Sequence, residues 1–234
     1  MSRTSKKFGL IQFVDFDVML MDDYIDYVED YFEVKEKEIQ KKFDELNKIP
    51  KDDDIHQTIE DYHQSYYEVL IDGLIDDAFY KDEFSQKFRE SLVIQIHSFM
   101  EKYLSRVKKH FLEKNDLKEN KMGKKNYTEK LAIILAPQIK IENIKGYKFL
   151  VRFTELRNCI IHNEGKIKST TTFPERLKAL KQLKKEKHIN LKERKNPKSI
   201  TYDIKINDKK FLKFSLTIIS NFLKDLDKKL LKHY

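Results

Sequence analysis

Turn-forming residues are scarce in this chain, and their scarcity limits the folds open to it. Only five glycines and four prolines occur among 234 residues, whereas sheets and long loops usually need more of both. Apolar residues instead recur at alternating steps of three and four, which places them on one face of a helix. The clearest such stripe comprises Ile11, Val14, Val18, Met21, Ile25, Val28 and Phe32. The chain is therefore predicted to be mainly helical.

The same spacing predicts six helices, separated by polar segments such as Lys114–Asn126. They are expected near 11–49, 55–82, 84–111, 127–136, 141–162 and 211–231. Residues 200–206 alternate at period two and Asn207-Asp208 follows as a turn, so a short strand or β-hairpin is expected near 200–210. The predicted fold class is an all-α, up-and-down helical bundle with long helices and this one β element.

A single domain spanning residues 1–234 is expected, built from four successive parts. These are an acidic N-terminal helical hairpin (10–80), a core (84–167), a basic mobile segment with order at best near Pro174–Leu183 (168–198), and a strand with the C-terminal helix (199–234).

Cysteine content and hydropathy indicate where the chain resides. The single cysteine, Cys159, cannot form an internal disulfide, which fits a reducing compartment. The N-terminal segment is basic and then apolar, but Asp15 and Asp17 interrupt it and no small-residue cleavage site follows, so no signal peptide is predicted. No apolar run approaches the roughly 20 residues of a membrane span. A cytoplasmic protein with no membrane association is expected.

Charge is divided unevenly along the chain. Leu10–Glu90 contains 24 acidic and 9 basic residues, a net charge of −15. Ser91–Tyr234 contains 15 acidic and 35 basic residues, a net charge of +20. A basic half indicates a polyanion such as nucleic acid as a partner, although a genome that favours lysine codons would also enrich lysine.

The most basic part of the chain is Lys166–Lys198, with 12 basic and 3 acidic residues. It is interpreted as an arm that binds the RNA backbone, with a solvated tail as the alternative. Aromatic residues for base stacking are not interleaved with its lysines, so little sequence selectivity is expected. The candidate RNA-binding residues are Lys166, Lys168, Lys181, Lys184 and Lys185.

The most informative polar residues lie in one short segment at the end of the helix predicted over 141–162. Arg157 and Asn158 precede His162, and Gly165 then ends the helix in a left-handed cap. At 100° per residue, Asn158 and His162 share a face with Glu155, which makes Glu155 a candidate accessory residue. Arg157 points about 140° away from His162. One helix therefore cannot easily direct both side chains at one phosphate, whereas two such helices meeting across a twofold axis could.

The order Arg157, Asn158, three residues, His162 resembles the motif of the HEPN family, in which Arg is followed by four to six residues and then His. Ser98 and Glu101, in a Ser-Phe-Met-Glu stretch of an earlier helix, resemble residues that often face the motif helix in several prokaryotic HEPN families. The resemblance covers roughly the predicted core and, more loosely, the final strand and helix. It implies a HEPN-type bundle and a homodimer with composite sites at its interface, in which Ser98 and Glu101 are accessory residues.

This resemblance implies a metal-independent endoribonuclease. The 2′-OH of RNA is its own nucleophile, His162 would act as general base or acid, Arg157 would bind phosphate oxygens, and Asn158 would orient the histidine or the phosphate. The expected product ends are a 2′,3′-cyclic phosphate and a 5′-hydroxyl. The family also implies a prokaryotic toxin–antitoxin or phage-defence setting, with a cognate antitoxin or defence protein as partner. The sequence has no Cys/His cluster, glycine-rich phosphate loop or calcium loop, so no metal or other cofactor is predicted.

A purely structural interpretation of the same residues stays open. His162 is electrostatically favourable at a helix C-terminus, and Asn158 would be a buried amide satisfied by a neighbour. Arg157 would form an ion pair with Glu155 or Glu101 and take no part in any reaction.

Two alternative functions also stay open. The first is a non-catalytic helical scaffold whose acidic half docks a partner, and the second is an RNA-binding protein without catalysis. Cys159 and His97 are interpreted as packed residues and not as a nucleophile or a metal ligand.

Overall fold

The computed structural model describes most of the chain as helix. The described residues are 14–46, 48, 57–115, 127–167, 173–186, 188–196 and 199–232. Their elements are α1 (Val14–Leu46), α2 (Gln57–Lys114), α3 (Tyr127–Leu135), a 3₁₀ turn (Ile141–Asn143), α4 (Tyr147–Asn163), β1 (Lys166–Ile167), α5 (Phe173–Lys185), β2 (Ile189–Asn196), β3 (Ser199–Ile206) and α6 (Lys209–Lys232). The prediction of a helical bundle with a short β element is confirmed. Among the described residues, no helix is both long enough and apolar enough to span a membrane.

The chain divides into two compact units. The large unit comprises Met1–Ile25 and Arg89–Tyr234, and the hairpin unit comprises Asp26–Phe88. Both boundaries fall inside helices, since α1 and α2 each contribute to both units. The second boundary lies close to Glu90, where the sequence changes from net acidic to net basic.

The hairpin unit pairs parts of α1 and α2 in antiparallel order. Lys81 forms an ion pair with Glu36 at 3.2 Å, and Phe32 packs edge-to-face on Phe88 with ring centroids 5.9 Å apart. The two helices predicted over 55–82 and 84–111 form one continuous helix, α2, which also runs through Gly73. A single glycine costs a helix only about 1 kcal/mol relative to alanine, and the flanking turns outweigh that cost.

The large unit is held by an apolar core between the second half of α2, α4 and α6. Its fully buried side chains lie on single faces of these helices, as their three-and-four spacing requires. They include Leu92, Ile96, Met100 and Leu104 of α2, Leu150, Phe153 and Leu156 of α4, and Leu212, Leu216, Ile219 and Leu223 of α6. The start of α1 joins this unit through Asp17, which accepts hydrogen bonds from Lys102 and Tyr103, both at 2.9 Å.

Two further predicted elements differ from the structure, and a third lies mostly outside the described residues. The helix predicted over 141–162 is a 3₁₀ turn followed by α4, because Gly146 adopts a φ of 99° between them. Asn207-Asp208 does not form a hairpin turn: the Asp208 carboxylate accepts the backbone N–H of Phe211 at 3.3 Å, which caps the start of α6. The polar loop predicted over 114–126 lies outside the described residues from residue 116 onward.

The segment expected to be mobile, 168–198, contains α5 and β2. Leu180 and Leu183 anchor α5 in the core, and Ile189 and Leu191 do the same for β2. These few apolar residues suffice because β2 pairs antiparallel with β3 over its full length, from Ile189↔Ile206 to Asn196↔Ser199. The strand order of the sheet is β1-β3-β2.

A left-handed turn ends α4 and begins the sheet. Glu164 and Gly165 have φ values of 55° and 71°, and the N–H groups of both donate to the carbonyl oxygen of Cys159. The carbonyl oxygen of Gly165 then accepts the N–H of Ile204 in β3 at 2.9 Å. A Cβ at Gly165 would lie only 2.8 Å from Oε1 of the buried Glu90, so only glycine fits this position without strain.

The Gly165→Ala variant is expected to lower the free energy of unfolding by about 1–2 kcal/mol, since alanine resists the left-handed conformation. Gly73→Ala is the matched control. Nothing lies within 4 Å of its added methyl group, and alanine is the better helix former, so stability should rise by about 0.5–1 kcal/mol. Urea unfolding monitored by circular dichroism measures both changes. Equal stability of Gly165→Ala and wild type would contradict the described turn.

Candidate functional site

Helix α4 carries the three predicted catalytic residues in different degrees of exposure. Its core face comprises Leu150, Phe153, Leu156, Cys159 and Ile160. Arg157 and Asn158 lie at the border of that face and are half-buried, whereas His162, in the last turn, is exposed. The C-terminal end of the helix therefore carries a half-buried guanidinium and a solvent-accessible imidazole.

Arg157 is only partly satisfied by its surroundings. Its Nη1 donates to the side-chain oxygen of Asn158 at 3.1 Å. Its Nε is buried and has no hydrogen-bond partner among the described residues. A guanidinium has five N–H donors, so donors remain for an anion such as a phosphate.

A buried polar cluster lies between α2 and α4 beside Arg157. His97, only 1% exposed, places Nε2 at 3.1 Å from the hydroxyl oxygen of Thr154 and Nδ1 at 3.5 Å from Oε2 of Glu101. The Thr154 hydroxyl itself donates to the carbonyl oxygen of Leu150 at 2.9 Å, so the His97 Nε2–H must be the donor to Thr154. Nδ1 of His97 has no hydrogen-bond partner among the described residues, although it lies near the Glu101 carboxylate.

Within this cluster, the charge of Arg157 affects the pKa of Glu101. The hydrogen bond from His97 lowers the pKa of Glu101 below its usual value of 4.5, against the opposing effect of burial, and the charges of His97 and Arg157 lower it further. Glu101 is therefore held as a carboxylate by its contact with His97 and by the charge of Arg157. Its accessory role stays a prediction.

The other two predicted accessory residues are not brought to Arg157. Ser98 is exposed and donates to the carbonyl oxygen of Ile94 in its own helix at 2.9 Å. Glu155 accepts from Nε of Arg176 in α5 at 3.1 Å. That contact makes Glu155 a link between α4 and α5, and it removes Glu155 as the partner of Arg157 in the purely structural interpretation.

The predicted RNA-binding lysines separate into different surfaces. Lys181 and Lys185 are exposed and share one groove on α5, whereas Lys184 reaches the carbonyl oxygen of Leu191 in β2 at 3.4 Å. Lys166 lies on β1, with its ammonium group 3.7 Å from the carboxylate of Glu164. Lys168 lies outside the described residues.

Of the imidazole and the thiol near the end of α4, the imidazole of His162 is exposed and the thiol of Cys159 is buried. None of the described residues forms a hydrogen bond or ion pair with the ring of His162, so the imidazole is accessible for proton transfer. Cys159 is fully buried, and burial raises the pKa of its thiol to about 11, so it remains a protonated, packed residue at neutral pH. In the described ranges, no three His, Cys, Asp or Glu side chains converge on a point that could hold a metal ion.

Sequence reasoning missed the role of His97 and Thr154. The spacing of His97 and Glu101, four residues apart on α2, already predicts that the two side chains share a helix face. The partner Thr154 lies 57 residues from His97, and no sequence signal connects them. Only the packing of α2 against α4 brings the three residues together.

Comparisons of the chain with protein-family models, with curated proteins and with solved structures gave no match. The roles of Arg157, Asn158 and His162 are therefore argued from their own chemistry and geometry.

The carboxylate of Glu101 should contribute stability that depends on pH. Because its folded pKa is lowered, the contribution is present above the unfolded value near 4.5 and is lost as pH falls through the folded pKa. Urea unfolding of wild type and Glu101→Gln between pH 6 and pH 3 should show a stability difference that shrinks with falling pH. The same difference measured in a His97→Gln background should be smaller. A difference that does not change with pH would contradict the described cluster.

Proposed function

We propose that this chain is a HEPN-type, metal-independent endoribonuclease that uses Arg157, Asn158 and His162. One observation carries the proposal: a guanidinium with unused donors is braced against Asn158, five residues before an accessible imidazole on the same helix. Phosphate binding and proton transfer are the two tasks that RNA cleavage by its own 2′-OH requires. The resemblance of the same residues to the HEPN motif supports the assignment.

The reaction is a transesterification at phosphorus. The 2′-oxygen forms a bond to phosphorus as its proton leaves to a base, and the bond from phosphorus to the 5′-oxygen breaks as that oxygen gains a proton. His162 would serve as base or acid, and Arg157 would stabilise the charge on the non-bridging oxygens. The products are a 2′,3′-cyclic phosphate and a 5′-hydroxyl, and no oxidant or metal enters the balance.

Two copies of the chain would complete one site. Arg157 donates a hydrogen bond to Asn158 and interacts electrostatically with Glu101, whereas His162 is exposed at the end of α4. This difference favours a homodimer in which Arg157 of one subunit meets His162 of the other across a twofold axis. A cytoplasmic toxin–antitoxin or phage-defence role, with a cognate antitoxin or defence protein as partner, belongs to the same proposal.

A non-catalytic interaction module is the second candidate, and the hairpin unit favours it. This unit contains 19 acidic and 8 basic residues and exposes large apolar side chains, among them Tyr27 (77%), Phe79 (62%) and Phe84 (66%). Exposed apolar patches on an acidic surface are typical of protein docking. Activity of the biological system that is unchanged by His162→Ala would favour this candidate over the nuclease.

His162→Ala is expected to slow RNA cleavage in EDTA by about 10²–10⁴-fold, and Arg157→Ala by about 10²–10³-fold, since each removes one catalytic contribution. Arg152→Ala is the matched control, because Arg152 lies on the same helix but pairs with Glu186 at 2.8 Å. Cleavage of single-stranded RNA is measured by gel electrophoresis, with product ends identified by mass spectrometry. A wild-type dimer that leaves RNA intact in EDTA, or cleavage that persists in both variants, would refute the proposal.

Subunit mixing tests the composite site directly. Arg157→Ala and His162→Ala proteins are each expected to be inactive, whereas a mixture after subunit exchange should recover about a quarter of wild-type activity. Random exchange makes half of the dimers mixed, and one of the two sites in each mixed dimer has both residues intact. If each subunit used its own Arg157 and His162, mixing would restore nothing.

A further inference from the structure

The small sheet has one buried and one solvent-facing side. Side chains alternate along each strand, so the antiparallel register assigns every residue to a side. The buried side includes Ile167 of β1, Ile189 and Leu191 of β2, and Ile204 and Ile206 of β3. The opposite side, here termed the outer sheet face, comprises Lys166, Asn190, Lys192, Arg194, Thr201, Asp203 and Lys205.

Cations dominate the outer sheet face in a regular arrangement. Lys166 on β1 and Lys192 on β2 are both register partners of Asp203, so the three residues form one row across the sheet. The row on one side pairs Lys205 with Asn190, and the row on the other pairs Arg194 with Thr201. Four cations thus surround a single carboxylate, with rows about 7 Å apart.

The fold neutralises only part of this charge. Arg194 contacts Asp203, whereas the described residues offer no hydrogen bond or ion pair to Lys192 or Lys205. The ammonium group of Lys166 lies 3.7 Å from the carboxylate of Glu164, and the two side chains are 43% and 75% exposed, so solvent screens the pair. An anion lying across the outer sheet face would be attracted by the cations that the fold leaves without a partner.

The outer sheet face is joined directly to the end of α4. Lys166 begins β1 only four residues after His162, and the carbonyl oxygen of Gly165 accepts the N–H of Ile204 in the central strand. The position of the sheet relative to His162 is therefore fixed by backbone hydrogen bonds. An extended ligand that crosses Lys192 and Lys166 leads toward the last turn of α4.

We infer that the outer sheet face binds the sugar–phosphate backbone of single-stranded RNA and guides it to His162. The inference deepens the proposed function and depends on it for the identity of the ligand. No aromatic side chain lies on this face, since Tyr202 is in register with Ile167 on the opposite side. The contacts are therefore to phosphate, without base stacking, and binding tolerates any sequence.

The test measures RNA binding separately from cleavage. A fluorescently labelled single-stranded RNA is titrated by anisotropy with His162→Ala protein in EDTA over a range of NaCl concentrations. In that background, Lys192→Gln/Lys205→Gln should weaken binding about tenfold at low salt. It should also reduce the slope of log Kd against log salt by about 1.4, or 0.7 per lost phosphate contact.

The matched control is Lys109→Gln/Lys228→Gln, which removes the same charge from exposed positions on α2 and α6. It should leave the slope unchanged and lower the affinity less than twofold, with circular dichroism confirming the fold of both proteins. Equal losses in the two double variants would mean that net charge alone attracts RNA and would overturn the inference. A change in oligomeric mass with unchanged RNA binding would assign the face to a second copy of the chain and also overturn it.

The inference and the proposed function fail in distinguishable ways. If the sheet variant binds RNA like the His162→Ala parent while Arg157 and His162 remain essential for cleavage, the nuclease stands and the RNA path is wrong. If the sheet lysines set the salt dependence of binding but wild-type protein never cleaves RNA, the binding face stands without the nuclease.

Discussion

The left-handed turn at Glu164 and Gly165 is the constraint on which the rest of the large unit depends. It ends α4 just after His162, and its two N–H groups donate to the carbonyl oxygen of Cys159. The carbonyl oxygen of Gly165 accepts the N–H of Ile204 in the sheet. A Cβ at Gly165 would lie 2.8 Å from Oε1 of the buried Glu90 in α2, so that carboxylate would have to move. One turn therefore fixes where the helix ends and where the sheet begins. The exposure of His162 follows from it, because a helix continuing past Asn163 would no longer place that imidazole in a terminal turn.

The buried polar cluster explains why Arg157 has a defined position. Buried polar groups are stable when each is satisfied, and Nε2 of His97 and the hydroxyl of Thr154 are satisfied by a hydrogen bond across α2 and α4. Among the described residues, Nδ1 of His97 and Nε of Arg157 have no hydrogen-bond partner. An unsatisfied buried donor costs about 1–3 kcal/mol and calls for an explanation. In the proposed site, a phosphate bound at the guanidinium would accept hydrogen bonds from donors of Arg157 that the fold leaves unused.

The sequence predicts elements whose signals are local, and it fails where partners are distant. Periodicity is sufficient for the long helices, and Gly165 alone predicts the end of α4. Strand β2 is different: after Ile189 and Leu191 come four charged residues, so no period of two is visible and the strand exists because β3 pairs with it. Asn207-Asp208 is ambiguous, since the same residues favour a turn and a helix start. For the site, the position of His162 at the end of a helix follows from the sequence, but the environment of Arg157 depends on contacts between α2 and α4.

Charged residues on the sheet have a second physical explanation that must be weighed against RNA binding. Edge strands commonly carry lysine because an unpaired edge would otherwise recruit another strand. This explanation suits Lys192 and Arg194, since β2 is an edge strand in the order β1-β3-β2. It suits Lys205 less well, because Lys205 lies on the central strand, β3, and is paired with Asn190 of β2. In the proposed function, the charge of Lys205 adds to the positive potential of the solvent-facing side, which a polyanionic substrate would cross.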